Sequence, residues 1–392
     1  MSQKDILVLS AARSPIGAFG GSLKDMEPCE LGGLVGKEAI ARSGLDPQAI
    51  AFAAVGHCIP TDSRYAYVAR VATIQAGLSM DSVAFAVNRL CGSSQQALVS
   101  CAQAIALGET DFALAGGVEV MSRGAYLMPA LRSGARMGDT QAIDAMVAVL
   151  TDPFGVGHMG ITAENLATKW TITRQAQDEF ALESQKRAAL ALEQGRFKSQ
   201  IAPITLKSRK GDVVFDTDEH PKPTTTMETL SKMRPAFKKD GTVTAGNASG
   251  INDAAAFLVL ADAAKAKNAK PLARLVSWAV SGVPNDVMGE GPIPSTQCAL
   301  KKAGLSLDQI DVIESNEAFA AQSLAVMQGL GLDPAKTNVN GGAIALGHPV
   351  GATGAVIITK LLYEMQRAQS RYGLATMCIG GGQGITTIYE RL

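Results

Sequence analysis

Two stretches far apart in this chain align without a gap. Ala39-Ile40-Ala41-Arg42-Ser43-Gly44-Leu45 matches Ala299-Leu300-Lys301-Lys302-Ala303-Gly304-Leu305, and Gln48-Ala49-Ile50 then meets Asp308-Gln309-Ile310. An apolar strand pattern follows each copy. Further on, Ala113-Leu114-Ala115-Gly116-Gly117 resembles Met377-Cys378-Ile379-Gly380-Gly381. Chance likeness among Ala- and Gly-rich helices would match residues without also keeping the order of elements. A period this long is not that of a solenoid. It predicts two copies of one α/β unit facing each other.

Within the first copy, Ile6 to Ala11 reads as a strand and Glu30 to Ser43 as a helix stopped by Gly44. Ala51 to Gly56, Val83 to Asn88 and Phe112 to Gly117 read as strands apolar on both faces. Ser93 to Leu107 reads as a helix ended by Gly108. Buried strands alternating with helices predict an α/β layered sheet. Residues 121–250 differ in composition. They carry helices (Thr162 to Lys169, Arg174 to Gln194) and polar turns, and Asp216 to Arg234 is rich in Thr, Pro and charge. They are expected to form an inserted loop domain. Residues 1–120 plus about 251–270 would make the N-terminal half, and 271–392 the C-terminal half. Such inserted segments often cover an active site held by a rigid scaffold.

Composition narrows the class. The chain has 392 residues, 47% of them hydrophobic, enough for two or three domains. The formal net charge is zero, so no bulk basic field gathers nucleic acid. No apolar run approaches the roughly 20 residues of a membrane span. Met1-Ser2-Gln3-Lys4-Asp5 has neither the charged-then-apolar pattern of a signal segment nor an Arg-rich leader, which makes the cytoplasm the expected compartment. The six cysteines (29, 58, 91, 101, 298 and 378) lack short paired spacing and read as reduced thiols. There is no CxxC and the four histidines are scattered, so no metal site is expected.

Three glycine-rich bends carry reactive groups. Cys91, in Leu90-Cys91-Gly92-Ser93-Ser94, follows a strand and opens a helix. Unpaired N–H groups at a helix start lower a thiol's pKa; the bland reading is a buried structural cysteine. Cys101 sits mid-helix on an apolar face and is expected in the core. His348 lies in the 340–354 segment, where five glycines and a proline crowd one histidine. It can accept a thiol proton near neutral pH; the alternative is an exposed loop histidine. Cys378 ends a strand before three glycines, whose N–H groups can hold an oxyanion. Asn316 reads equally as a holder of water or an oxyanion, or as a helix N-cap.

Taken together, Cys91-Gly92-Ser93, Asn316-Glu317-Ala318-Phe319, Gly341-Gly342-Ala343-Ile344-Ala345-Leu346-Gly347-His348-Pro349 and Cys378-Ile379-Gly380-Gly381-Gly382 resemble the thiolase family (acetyl-CoA acetyltransferases and β-ketothiolases) along nearly the whole chain. The resemblance implies a layered αβαβα fold and a reversible Claisen condensation of two acyl-CoA molecules. It implies Cys91 as acyl-accepting nucleophile, His348 as its activator and Cys378 as acid/base. Asn316 would position a water that binds one thioester oxygen together with His348. The N–H groups of Cys91 and Gly380 would bind the other. His158-Met159 resembles the pantetheine-channel segment of the short-chain, biosynthetic-type branch. Leu150, Phe237, Ala245, Ser249, Ala318 and Phe319 match pantetheine- or acyl-lining positions, and Met288 a methionine near the acyl tail. CoA and acyl-CoA are implied as substrates, with no further cofactor, and a homotetramer built from two dimers as the assembly.

Three departures stand out: Ser94 replaces a family glycine, Lys222 an arginine near the CoA nucleotide, and Thr353 a serine of the His348 loop. A lysine presents a point charge where an arginine presents a fork. Rival readings differ in what they need. A broad-chain thiolase of fatty-acid β-oxidation would keep every catalytic residue. A decarboxylating ketosynthase needs no second thiol. A cysteine hydrolase needs a water-activating base besides His348. A non-catalytic acyl-CoA carrier would have lost Cys91, His348 or Cys378.

Overall fold

The computed structural model describes residues 4–209, 211–267 and 269–392; Met1–Gln3, part of the segment read for a leader, lie outside the described residues. Nine principal strands run in chain order: β1 (Ile6–Arg13), β2 (Phe52–Gly56), β3 (Val83–Val87), β4 (Phe112–Val120), β5 (Asn252–Asp262), β6 (Ala273–Gly282), β7 (Val312–Ser315), β8 (Tyr372–Ile379) and β9 (Gln383–Glu390). The principal helices are α1 (Pro28–Ser43), α2 (Val68–Gln75), α3 (Ser93–Leu107), α4 (Met159–Lys169), α5 (Arg174–Glu193), α6 (Pro292–Ala303), α7 (Ala320–Leu330) and α8 (Thr353–Ala368).

The strand order is β7-β8-β9-β6-β1-β5-β4-β2-β3. From β7 inward and from β2 inward it reads the same way, with β3 added outside β2 at one edge. β2 is parallel to β4 as β7 is to β8; β4–β5 and β8–β9 are antiparallel; so are β5–β1 and β9–β6. The two series meet only where Ile6–Val8 pairs with Ala273–Leu275. The aligned segments take the same structure in each half. α1 and α6 end at Gly44 and Gly304 with φ of 72° and 66°, and a 3-10 turn then leads into β2 or β7. Left-handed φ is what glycine tolerates, so the Gly44 stop acts as read and its aligned partner Gly304 ends its helix in the same way.

Five layers result. α1 and α2 bury Leu31, Val35 and Val68 against Val55, Leu114 and Phe257 on one outer face. α3 and α8 lie in the middle, where Leu98, Ile105, Ile358 and Leu361 meet Val8, Leu258, Met377 and Ile385 from both halves of the sheet. α6 and α7 bury Ala299 and Val326 against Ile313, Leu374 and Ile388 on the other outer face. Each fully buried Leu or Ile of the middle layer contributes about 1.5–3 kcal/mol. Cys101 is fully buried there, as expected.

Residues 121–250 attach through polar contacts as well as packing. Arg13 on β1 grips Asp218 with two hydrogen bonds of 2.7 and 2.9 Å, both side chains fully enclosed. Breaking such a pair leaves an uncompensated buried charge, so the segment is pinned at that point. All six cysteines are free thiols. Among the described residues no helix is long and apolar enough to cross a membrane.

One strand departs from expectation. The apolar run from Val83 was read as buried on both faces. β3 is instead an edge strand ending at Val87, with Val83 57% and Phe85 42% exposed. Periodicity cannot separate a strand covered by its own chain from one left for another surface to cover.

Candidate active site

Cys91, His348 and Cys378 line one cavity of about 410 Å³. The middle-layer helices explain the meeting: α3 starts just after Cys91, and α8 just after His348. Cys378 comes from the end of β8.

The Cys91 turn is held by Ser93. Its hydroxyl donates to the Leu90 carbonyl at 2.6 Å and accepts from the Arg89 N–H at 2.9 Å. Leu90 adopts φ 47°, a left-handed backbone that costs a side-chain-bearing residue roughly 1–3 kcal/mol. The Gly380 and Cys91 N–H groups both point at the Cys91 sulfur. Burial outweighs them and pushes the thiol up to about 11. This corrects the expectation of a thiol acidified by a helix start. Helix α3 begins at Ser93 with Gly92 as its cap, one residue past Cys91, and the apolar surroundings dominate. At rest Cys91 is a neutral thiol, and to attack a carbonyl it would need a base.

His348 is the candidate for that base. Burial holds its imidazole down at about 4, so the ring is neutral near pH 7. The Thr353 hydroxyl donates to the Pro349 carbonyl at 2.8 Å. Its oxygen therefore accepts from His348 Nδ1–H at 2.7 Å, which leaves Nε2 as the proton acceptor. The departure at Thr353 keeps the hydroxyl that sets this tautomer. Ser94, the other departure in this layer, accepts from the Ala355 N–H at 2.8 Å and clips α3 to α8. Cys378 is buried. Burial first, and the nearby Cys91 sulfur second, raise its pKa, so it rests protonated.

Asn316 is not an N-cap: α7 starts at Ala320 behind Phe319. Its backbone N–H binds the Thr376 carbonyl at 3.0 Å, while both polar atoms of its buried carboxamide lack a partner in the chain. A carboxamide left so is ready to hold a water. It lies outside the cavity wall.

Residues expected at the substrate converge on the same cavity: Gly380, Leu150, His158, Met159, Lys222, Phe237, Ala245, Ser249, Met288, Ala318 and Phe319 all line it. The His158 ring caps α4 by accepting from the Gly160 N–H at 3.1 Å, and it stacks on Phe237 with centroids 4.7 Å apart. Phe237 in turn meets Phe319 edge-on at 6.0 Å. The Ser249 N–H donates to the Ala318 carbonyl at 3.0 Å and seats the 121–250 segment against α7. His220 and Leu90 also line the cavity and had no sequence signal. A single histidine in a polar stretch and a leucine before a cysteine look ordinary. Among the described residues no cluster of His, Cys, Asp and Glu is arranged to hold a metal.

Two sulfurs, a neutral imidazole with a free nitrogen, and paired N–H donors in an apolar cavity define an enzyme of thiol-based acyl transfer. The thiolase N-terminal domain family matches residues 6–264, and the thiolase C-terminal domain family residues 269–391. The chain is 54% identical to beta-ketothiolase BktB of Cupriavidus necator, over 99% of this chain and 100% of that protein. It is 49% identical to the acetyl-CoA acetyltransferase of Syntrophomonas wolfei, over 99% and 100%. The crystal structure of the Bacillus anthracis acetyl-CoA acetyltransferase superposes with a TM-score of 0.97 at 45% identity, over 100% of this chain and 99% of that one. Human mitochondrial 3-ketoacyl-CoA thiolase in complex with CoA superposes with 0.96 at 43%, over 99% and 98%. The chain belongs to the thiolase family.

Proposed function

We propose that this thiolase joins acetyl-CoA to a second acetyl-CoA or short acyl-CoA, giving a 3-ketoacyl-CoA and CoA, and runs the reverse thiolysis. The observation that carries the reading is the second thiol, Cys378, in the same cavity as Cys91 and His348. A decarboxylating enzyme makes its enolate by losing carbon dioxide and has no use for it.

The steps follow from the protonation states. His348 Nε2 takes the Cys91 proton as the sulfur attacks the acyl carbon. The departing CoA thiolate takes the Cys378 proton, which leaves Cys378 as a thiolate. That thiolate removes an α-proton from the second acetyl-CoA. The enolate attacks acyl-Cys91, and the released Cys91 sulfur recovers its proton from His348. In thiolysis a CoA thiolate takes the acyl group instead. The Cys91 and Gly380 N–H groups hold one developing oxyanion; His348 and a water on Asn316 hold the other. One such donor is typically worth about 3–4 kcal/mol. Lys222 faces the CoA nucleotide. Leu150, His158, Met159, Phe237, Ala245, Ser249, Ala318 and Phe319 line the pantetheine path, and Met288 the acyl tail. CoA and acyl-CoA are substrates, and the reaction uses no metal or redox cofactor.

A series of 3-ketoacyl-CoA substrates, cleaved with CoA, tests the reading. Activity confined to acetoacetyl-CoA and its nearest homologue is expected, with Met288 as the residue that stops longer tails. Equal rates on long chains would support the second reading, a broad-chain thiolase of fatty-acid degradation.

In this reading residues 121–250 form a loop domain that binds CoA and makes oligomer contacts, between halves of 1–120 plus about 251–270 and 271–392. The enzyme works in the cytoplasm as a homotetramer. The open edge of β3 and the exposed apolar side chains Tyr126, Leu127, Leu131 and Met137 support the assembly. Sedimentation at micromolar protein is expected to give a tetramer; a monomer would refute it.

A further inference from the structure

Glu119, near the end of β4, is fully buried and plays no part in the steps above. Its carboxylate accepts three backbone hydrogen bonds and faces the His57 ring. Oε1 takes the Ile59 N–H at 3.2 Å and lies 3.1 Å from His57 Nδ1, whose N–H donates to the Val118 carbonyl at 2.9 Å. Oε2 takes the Cys58 N–H at 3.0 Å and the Gly351 N–H at 2.9 Å. Residues 57–59 touch the nucleophile's turn: the His57 N–H donates to the Val87 carbonyl at 3.1 Å, and the Cys58 thiol to the Leu90 carbonyl at 3.2 Å. Gly351 lies in the other turn, three residues past His348. One carboxylate thus holds both turns.

The packing leaves no slack. A Cβ on Gly351 would stand 2.5 Å from Glu119 Oε2. Cβ atoms on Gly56 and Gly117 would stand 2.6 and 2.4 Å from the Gly351 carbonyl. The base's turn is pressed backbone to backbone on β2 and β4; Glu119 holds it at Gly351, and Asn252 Oδ1 holds it at the His348 N–H, 3.0 Å away. The His57 ring faces the Glu119 carboxylate. Burial opposes a charge on His57, but Glu119 outweighs it and raises the imidazole above its ordinary value.

We propose that Glu119 is a positioning residue that fixes His348 Nε2 against the Cys91 sulfur. The proposal rests on Cys91 and His348 being nucleophile and base. Glu119→Gln keeps the shape but turns one acceptor edge into a donor, so it cannot satisfy all three backbone N–H groups. Misplacement by about 1 Å costs up to about a hundredfold in rate. The expected result is a roughly 10- to 100-fold fall in thiolysis kcat, with KM values for CoA and acetoacetyl-CoA within about twofold of wild type. Alkylation of Cys91 by iodoacetamide at neutral pH should slow by a similar factor, because the base no longer meets the thiol.

An unchanged kcat, a loss confined to KM, or a lowered kcat with normal alkylation would each overturn the proposal. Failure of the underlying reading is distinguishable: wild-type enzyme would then show no acyl-enzyme and no Cys91 alkylation linked to activity. Should the variant not fold, amide hydrogen exchange of the wild type decides. Cys58, Ile59 and Gly351 should exchange slowly and together; rapid exchange at Gly351 alone would sink the idea.

Discussion

Cys91→Ala is expected to leave no acyl-enzyme and to lower condensation and thiolysis together by about 10⁴-fold or more, the scale on which a lost nucleophile acts. The methyl group cannot form the thioester, and no other sulfur can stand in. Cys378 is buried, and no Gly380 N–H points at it as one does at Cys91. Folding should survive, since Cys91 is only half-buried at the cavity and its turn is held by Ser93 rather than by the sulfur. Intact-protein mass after mixing with acetyl-CoA is the measurement. Wild type should gain one acetyl group and the variant none. An acetylated variant would move the nucleophile elsewhere.

Cys378→Ser divides the reaction in two. Serine keeps the size and loses the acidity, so it cannot reach the anionic state that α-proton removal needs. Acylation of Cys91 from acetyl-CoA should continue. Exchange of acetyl-CoA α-protons with deuterated water, and condensation, should fall by about 10²–10⁴-fold, the usual worth of a placed acid/base group. Condensation at a near wild-type rate would remove Cys378 from the role. The raised pKa of Cys378 fits this division. A base strong enough for a thioester α-proton must be a reluctant anion, made only when CoA leaves with its proton.

Much of the fold and the site was legible because the signals are local and doubled. Gly44 and Gly304 each stop a helix by the same left-handed residue, and the same strand pairings follow. Glycine-dense bends marked Cys91, His348 and Cys378 because close backbone approach needs them. Other features lack such signatures. Val83 to Val87 carries the residues of a buried strand, and only the third dimension reveals an open edge. The acidity of Cys91 was misread because a helix start can be seen in sequence and a desolvated sulfur cannot. Glu119 escaped notice because the three backbone N–H groups it binds come from two distant segments.

The internal pseudo-symmetry has a consequence of its own. Cys91, the proposed nucleophile, stands before the central helix of one half, and His348, its proposed base, before the central helix of the other. Two identical subunits in the same embrace would present either two thiols or two imidazoles to each other, never one of each. Division of labour across such an axis requires the copies to differ. Fusion into a single chain lets each copy change without its twin and keeps the unlike pair together at every round of synthesis.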